Sequence, residues 1–184
     1  MYNLTIENST ITQASVELEY EHCIFEKCDF SGIDLRDVSF EECKFSSCNF
    51  TDVNIKNTAF KQVQFAECKM LGLQFTHCNP FLLEMSFDKC LLDYSSFYSL
   101  KLKKTNFEGC SLRDVDFVET DLTQADFSFC DLYAATFEGT VLTKADFRTA
   151  KNYNLDPALN SMTKAKFSAQ GLAGLLDSHQ LDIT

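Results

Sequence analysis

Every fifth residue of this chain is large and apolar over most of its length. The series runs Tyr20, Phe25, Phe30, Leu35, Phe40, Phe45, Phe50, Ile55, Phe60, Phe65, Met70 and Phe75. It resumes two residues out of phase as Leu82, Phe87, Leu92, Phe97, Leu102, Phe107, Leu112, Phe117, Leu122, Phe127, Leu132, Phe137, Leu142 and Phe147. An amphipathic helix repeats its apolar residues at steps of three and four, and a half-buried strand at steps of two. A period of five is neither, so the chain reads as an internal repeat. The position two residues before each large one is small or medium: Cys23, Cys28, Ile33, Val38, Cys43 and Cys48 early, Val115, Thr120, Ala125, Cys130, Ala135 and Ala145 late. The three remaining positions are mostly polar. Each unit therefore buries one large and one small side chain and exposes three.

Units such as Ala125-Asp126-Phe127-Ser128-Phe129 and Ala145-Asp146-Phe147-Arg148-Thr149 resemble the A(D/N)LXX pattern of the pentapeptide-repeat family, from about Leu18 to Thr149. That resemblance implies an all-β fold: a right-handed quadrilateral β-helix in which each pentapeptide forms one side and four form a coil. Within the family the chain looks most like the Qnr-type quinolone-resistance group. The shared features are a two-part repeat run with Gly72 near the join, the Phe and Leu columns, and an apolar C-terminal segment. This resemblance implies a protein partner, DNA gyrase or topoisomerase IV, relief of quinolone inhibition, and a homodimer formed through the C-terminal segment. Several Qnr proteins also project long loops that contribute to protection, whereas the only irregularity inside these repeats is two residues long.

A four-sided coil requires residues 20 apart to share a column. Cys28, Cys48 and Cys68 do so, as do Cys90, Cys110 and Cys130, and Phe87, Phe107, Phe127 and Phe147. The step from Cys68 to Cys90 is 22, and from Phe75 to Leu82 it is seven instead of five. Both discrepancies are two residues, which predicts one continuous helix with a two-residue bulge between Phe75 and Leu82, near His77 to Pro80. With coils ~4.8 Å apart, roughly six and a half coils make a rod about 31 Å long. The chain divides into an N-terminal cap (1–17), the repeat helix (18–149) and a C-terminal segment (150–184). Leu4 and Ile6 alternate with polar residues and predict a strand over the first coil. Asp156-Pro157 reads as a helix N-cap followed by Pro at the first helical position. Ser168 reads as the cap of a second short helix carrying Leu172, Leu175 and Leu176, which form either a lid on the last coil or a dimer contact.

Chemistry is sparse. The nine cysteines recur at steps set by the fold and point inward, so they read as small core residues, not zinc ligands or disulfides. His22, His77 and His179 form no cluster, and no phosphate loop, nucleophile elbow or HExxH motif occurs. No enzyme activity, metal or cofactor is expected. Met1 to Val16 has no basic start followed by an apolar core, and no run reaches the ~20 apolar residues of a membrane span, so the expected setting is cytoplasmic. A net charge of −11 argues against direct binding to nucleic acid.

That charge is unevenly placed. Residues 17–42 carry nine acidic and two basic side chains, residues 43–107 five and eight, and residues 108–146 nine and two. The last stretch holds the candidate partner-binding surface: Asp114, Asp116, Glu119, Asp121, Asp126, Asp131, Glu138 and Asp146. On four sides these acids fall all round the rod, so the chain reads as an acidic, duplex-like rod able to occupy a basic DNA groove. Asp116, Asp121, Asp126, Asp131 and Asp146 also occupy the D/N position of the repeat, where a short polar side chain can bond nearby backbone. Asp114, Glu119 and Glu138 have no such role. Lys101, Lys103, Lys104 and Lys144 map to the side of Leu102 and Leu142. The alternative is a scaffold or interaction module with an unrelated partner.

Overall fold

The computed structural model describes residues 1–179 and 181. Parallel strands stack, at a step of 20 residues in four of six pairings, on two adjacent sides of the N-terminal half. Strands β1 (Thr5–Glu7), β3 (Ile24–Glu26), β5 (Lys44–Ser46), β7 (Val63–Ala66) and β8 (Met85–Asp88) form one sheet in that order. Strands β2 (Glu19–Glu21), β4 (Ser39–Glu41) and β6 (Ala59–Lys61) form the other. Tyr20 lies over Phe40 and Phe40 over Phe60, while Phe25, Phe45 and Phe65 align on the next side. On the other sides, and throughout the C-terminal half, coils meet through single parallel bridges such as Lys101 with Asp121 and Ser111 with Asp131. The result is a right-handed, four-sided β-helix.

The corners explain the five-residue period. The residue two after the large apolar one takes a positive φ along both halves of the run: Asp37 62°, Lys104 62°, Asp114 54°, Glu119 57° and Gly72 70°. From Leu92 onward most corners are type II turns; at one of them the Thr105 N–H donates to the Leu102 carbonyl at 3.3 Å. A left-handed L-residue costs roughly 1–2 kcal/mol. Two contacts offset that cost. The corner N–H donates to the next coil, as from Lys104 to the Thr123 carbonyl at 2.8 Å and from Asp114 to the Tyr133 carbonyl at 2.9 Å. The carboxylate three residues earlier than the corner accepts from the N–H just before it: Ser128 donates to Asp126 Oδ1 at 2.8 Å and Val118 to Asp116 Oδ1 at 2.9 Å.

Inside, the large side chains form columns. Phe87, Phe107, Phe127 and Phe147 stack nearly parallel with centroids 5.3, 5.3 and 4.6 Å apart, and rings on adjacent sides meet edge-on, as Phe117 does with Phe127 at 84°. Both geometries suit the ring quadrupole. The small position does more than fill space. Thr58, Thr120 and Thr140 hydroxyls donate to the carbonyls of Leu35, Phe97 and Phe117, 23 residues earlier, at 2.7 to 2.9 Å. Cys48 and Cys68 thiols reach the Phe25 and Phe45 carbonyls the same way at 3.4 Å.

The column continues across the break. Cys90 Sγ donates to the Phe65 carbonyl and Ser95 Oγ to the Met70 carbonyl, now 25 residues earlier, and Phe65 stacks on Phe87 at 5.4 Å. Leu82, however, is not in the column. It is 63% exposed with φ 55°, the one member of the five-residue series not buried, and half-buried Leu83 packs against the core on that side instead. The two extra residues are absorbed over the whole of Thr76–Glu84, beginning in a 3₁₀ turn at Phe75–His77. A flat side cannot take two more residues in plane, so the segment bows outward.

The ends differ from the sequence pattern too. β1 covers the first coil with Ile6 over Phe25. Past Thr149, where the period fades, the chain still follows the coil: Ser161 and Lys166 pair with Val141 and Asp146, and Phe167 stacks on Phe147 at 5.3 Å. Asp156-Pro157 opens a turn and not a helix, because Asp156 Oδ1 takes the Ala158 N–H at 2.8 Å and the chain then rejoins the coil. Ser168 caps a 3₁₀ helix over Ala169–Leu175, its Oγ accepting from the Gly171 N–H. This helix lies on Tyr153, and a Cβ at Gly174 would fall 2.3 Å from the Tyr153 carbonyl oxygen, so a glycine is required there.

Phe127 and Phe129 make a matched test. Phe127 is fully buried, and Phe127→Ala should cost about 3–5 kcal/mol in chemical denaturation. Phe129 is 64% exposed at a corner with φ 61°, so Phe129→Gly should be neutral or stabilising by up to about 1 kcal/mol.

Candidate partner-binding surface

The eight acidic residues do not present equal charge. Five are tied to backbone. Asp116, Asp121, Asp126, Asp131 and Asp146 each accept a hydrogen bond from the N–H two residues on, at 2.8 to 3.2 Å. Three of these also meet a cation: Lys103 lies 3.3 Å from Asp121, Arg113 3.2 Å from Asp131, and Arg148 and Lys166 2.8 and 3.2 Å from Asp146. The Arg148 guanidinium holds the Asp146 carboxyl down at about 2, with Lys166 adding to the effect against the opposing desolvation.

Asp114, Asp116, Glu119, Asp126 and Glu138 have no cationic side chain within 4.0 Å among the described residues. All but Asp126, which is on the side of Phe127, lie on or at the corners of one side, that of Phe117 and Phe137. Asp114, Glu119 and Glu138 are exposed, and Glu119 accepts the Tyr98 hydroxyl at 2.9 Å. The charge is less even round the rod than expected: cations meet Asp121, Asp131 and Asp146, and four of the five candidate acids without one gather on a single face. Sequence order concealed this, because Lys103 and Lys166 come from neighbouring coils.

The four lysines of the Leu102–Leu142 side lie as expected along that side, Lys104 and Lys144 both at corners with φ 62° and 61°. An aromatic group was not anticipated. On the side of Leu92, Leu112 and Leu132, Leu91, Tyr94 and Tyr133 are 47, 64 and 53% exposed, Phe129 stands at its corner, and Arg113 sits 4.9 Å above the Tyr133 ring. Two of these aromatics occupy left-handed corners, where an exposed Phe or Tyr does nothing for the core. Their irregular spacing gave no periodic signal.

At the C-terminal end, Leu172 is 48% exposed, whereas Leu175 and Leu176 are half-buried and Leu175 packs on the core. The Leu155 N–H donates to the Gly174 carbonyl at 2.8 Å, which fastens the helix to the last coil as a lid. All nine cysteines are free and buried. Burial pushes the Cys43 thiol up to about 11 and that of Cys130 up to about 12, so neither is a nucleophile near neutral pH. Among the described residues no helix is long and apolar enough to cross a membrane.

A four-sided parallel β-helix with a charged, solvent-facing surface is the architecture of pentapeptide-repeat proteins. The family model "Pentapeptide repeat region" matches residues 18–80 and 73–147, and the chain belongs to this family. No curated protein sequence gives a significant match. Among solved structures, a trypsin-treated single-site variant of QnrB1, a plasmid-mediated fluoroquinolone resistance protein, superposes with a TM-score of 0.67 at 16% identity. That match covers 100% of this chain and 99% of QnrB1. Full-length QnrB1 gives 0.60 at 18% identity over 98% and 99%. At these identities the likeness is one of fold.

The Asp146 site predicts a pH dependence. Its folded carboxyl lies at about 2 against an ordinary 3.8, so the stabilisation is complete above about pH 4 and is lost as pH falls toward 2. Asp146→Asn should lower stability at pH 7 by about 1–2 kcal/mol and flatten the acid limb of a denaturation series between pH 4 and 2.

Proposed function

We propose that this protein is a non-enzymatic binding protein: an acidic rod that mimics duplex DNA and binds a type II topoisomerase such as DNA gyrase, modulating its response to quinolones. The observation that carries this reading is the uncompensated face formed by Asp114, Asp116, Glu119 and Glu138. Its charge density suits the role. Residues 108–146 hold nine acids against two bases, a net of −7 over about two coils, or roughly 10 Å of axis. Duplex DNA carries about six charges over the same length. The fold shared with QnrB1 supports the choice of partner class, and buried free thiols suit a reducing compartment such as the cytoplasm. A second reading, an interaction module for an unrelated protein, is favoured by the aromatic side of Leu91, Tyr94, Phe129 and Tyr133, which a DNA mimic does not need.

A gyrase supercoiling assay with and without a quinolone separates the two. The DNA-mimic reading expects inhibition or protection that weakens with added salt and on reversing Asp114, Glu119 and Glu138 to Lys. Absence of any effect on supercoiling, or an effect indifferent to these reversals, would sink it. Loss of partner capture on changing Tyr94 and Tyr133 to Ser, with the acidic face intact, supports the second reading.

A further inference from the structure

The register break builds a surface that complements itself. The Asn79 N–H donates to the Thr58 carbonyl and the Glu84 N–H to the Phe60 carbonyl, both at 2.9 Å, which anchors the two ends of the bulge on the side of Phe60. Residues 80–83 therefore bow out from that side, and Phe81 and Leu82 stand 68% and 63% exposed. This ridge parts two grooves. The first, of 300 Å³, runs from Leu82 and Leu83 to Glu41 and Glu42 across Lys61 and Gln62. The second, of 220 Å³, runs from Gln62 and Gln64 past Leu83 and Glu84 to the far flank, where Lys101, Lys103 and Lys104 line it.

Charge along this one side changes sign at the ridge. Glu41 is partly neutralised by Lys61 at 3.0 Å, but Glu42 faces only His22, and Glu19 and Glu21 extend the acidic end in register with β4. On the far flank Lys103 reaches Asp121 at 3.3 Å, while Lys101 and Lys104 have no carboxylate within 4.0 Å among the described residues.

We propose that this side is the interface of an antiparallel homodimer. A basic partner would match only the Glu42 end, and an acidic one only the Lys104 end. A second copy turned about a two-fold axis through the first groove matches both at once. Each Phe81–Leu82 ridge then lies in the other's groove, Glu42 meets Lys101 and Lys104 of the opposing copy, and Lys61 meets its Glu84. Such self-complementarity is what an isologous contact requires. The side is about 16 Å wide and the matched stretch about 20 Å long by strand and coil spacing. A plan area of about 300 Å² per copy is well short of the ~800 Å² of a standard stable interface, so the dimer dissociates on dilution. This contact is separate from the acidic face of Phe117 and from the C-terminal lid.

Sedimentation velocity on the full chain tests it. The weight-average mass should rise with protein concentration toward two chains and fall with added salt. Glu42→Lys and Lys104→Glu should each weaken association about tenfold. Combining both in one chain should restore it, since the symmetry sets each swapped residue opposite the other. Phe81→Asp with Leu82→Asp should leave a monomer with an unchanged melting profile, as neither side chain is in the core. A chain monomeric at every concentration overturns the proposal, as does failure of the double swap to rescue. So does a dimer that survives the Phe81 and Leu82 changes and dissolves on Leu172→Asp, which would place the contact at the C-terminal lid.

Discussion

The left-handed residue at each corner is the constraint on which the rest of this molecule depends. A chain that turns every five residues places one residue of nearly every side at positive φ, and glycine is rarely used: among the described residues Gly32, Gly72, Gly109 and Gly139 are the glycines at these corners. The strain at the other corners is tolerated because most corner N–H groups find a carbonyl in the next coil, Phe129 finding the Thr149 hydroxyl instead, and an Asp or Asn often closes the turn. Remove the next coil and the corner loses its partner. Stability therefore accrues coil by coil, and both ends need covers, which β1 and the Ala169–Leu175 helix supply.

A second consequence concerns the small positions. Cys, Thr and Ser recur two residues before the large side chain because each can donate to a carbonyl of the coil below, while Val and Ala at equivalent places only fill volume. Eight of the nine free cysteines are thus weak donors inside a stack, Cys78 being the exception. That leaves the outward positions as the place where this fold can carry function, and there the hydrogen bonds of the corners compete for the same carboxylates that would attract a partner. Asp121, Asp131 and Asp146 are largely committed to the fold; Asp114, Glu119 and Glu138 are not.

Much of this was legible in the residues alone. The apolar period, the step of 20 and the Cys column carried through the break define the coil, since each is a local consequence of the corner geometry. What the pattern could not reveal depended on neighbours 18 to 22 positions away. Leu82 fits the five-residue series yet faces solvent, because the series cannot tell which of two adjacent leucines closes a bulge. The fading period after Thr149 concealed a further coil, in which Tyr153 and Leu155 take over as core residues out of phase. Ion pairs from adjacent coils decide which acids remain uncompensated, and the aromatic side has no period at all.

The central claim is one unbroken helix whose register shifts by two residues within Thr76–Glu84. Inter-residue nuclear Overhauser contacts across that segment measure it directly. The account predicts contacts between the Phe65 and Phe87 rings, between Cys68 and Cys90, and between Gln64 and Ser86. Contacts pairing Phe65 with Met85 and Cys68 with Asp88, the unshifted step of 20, would contradict it, as would the absence of any contact between the two halves of the rod.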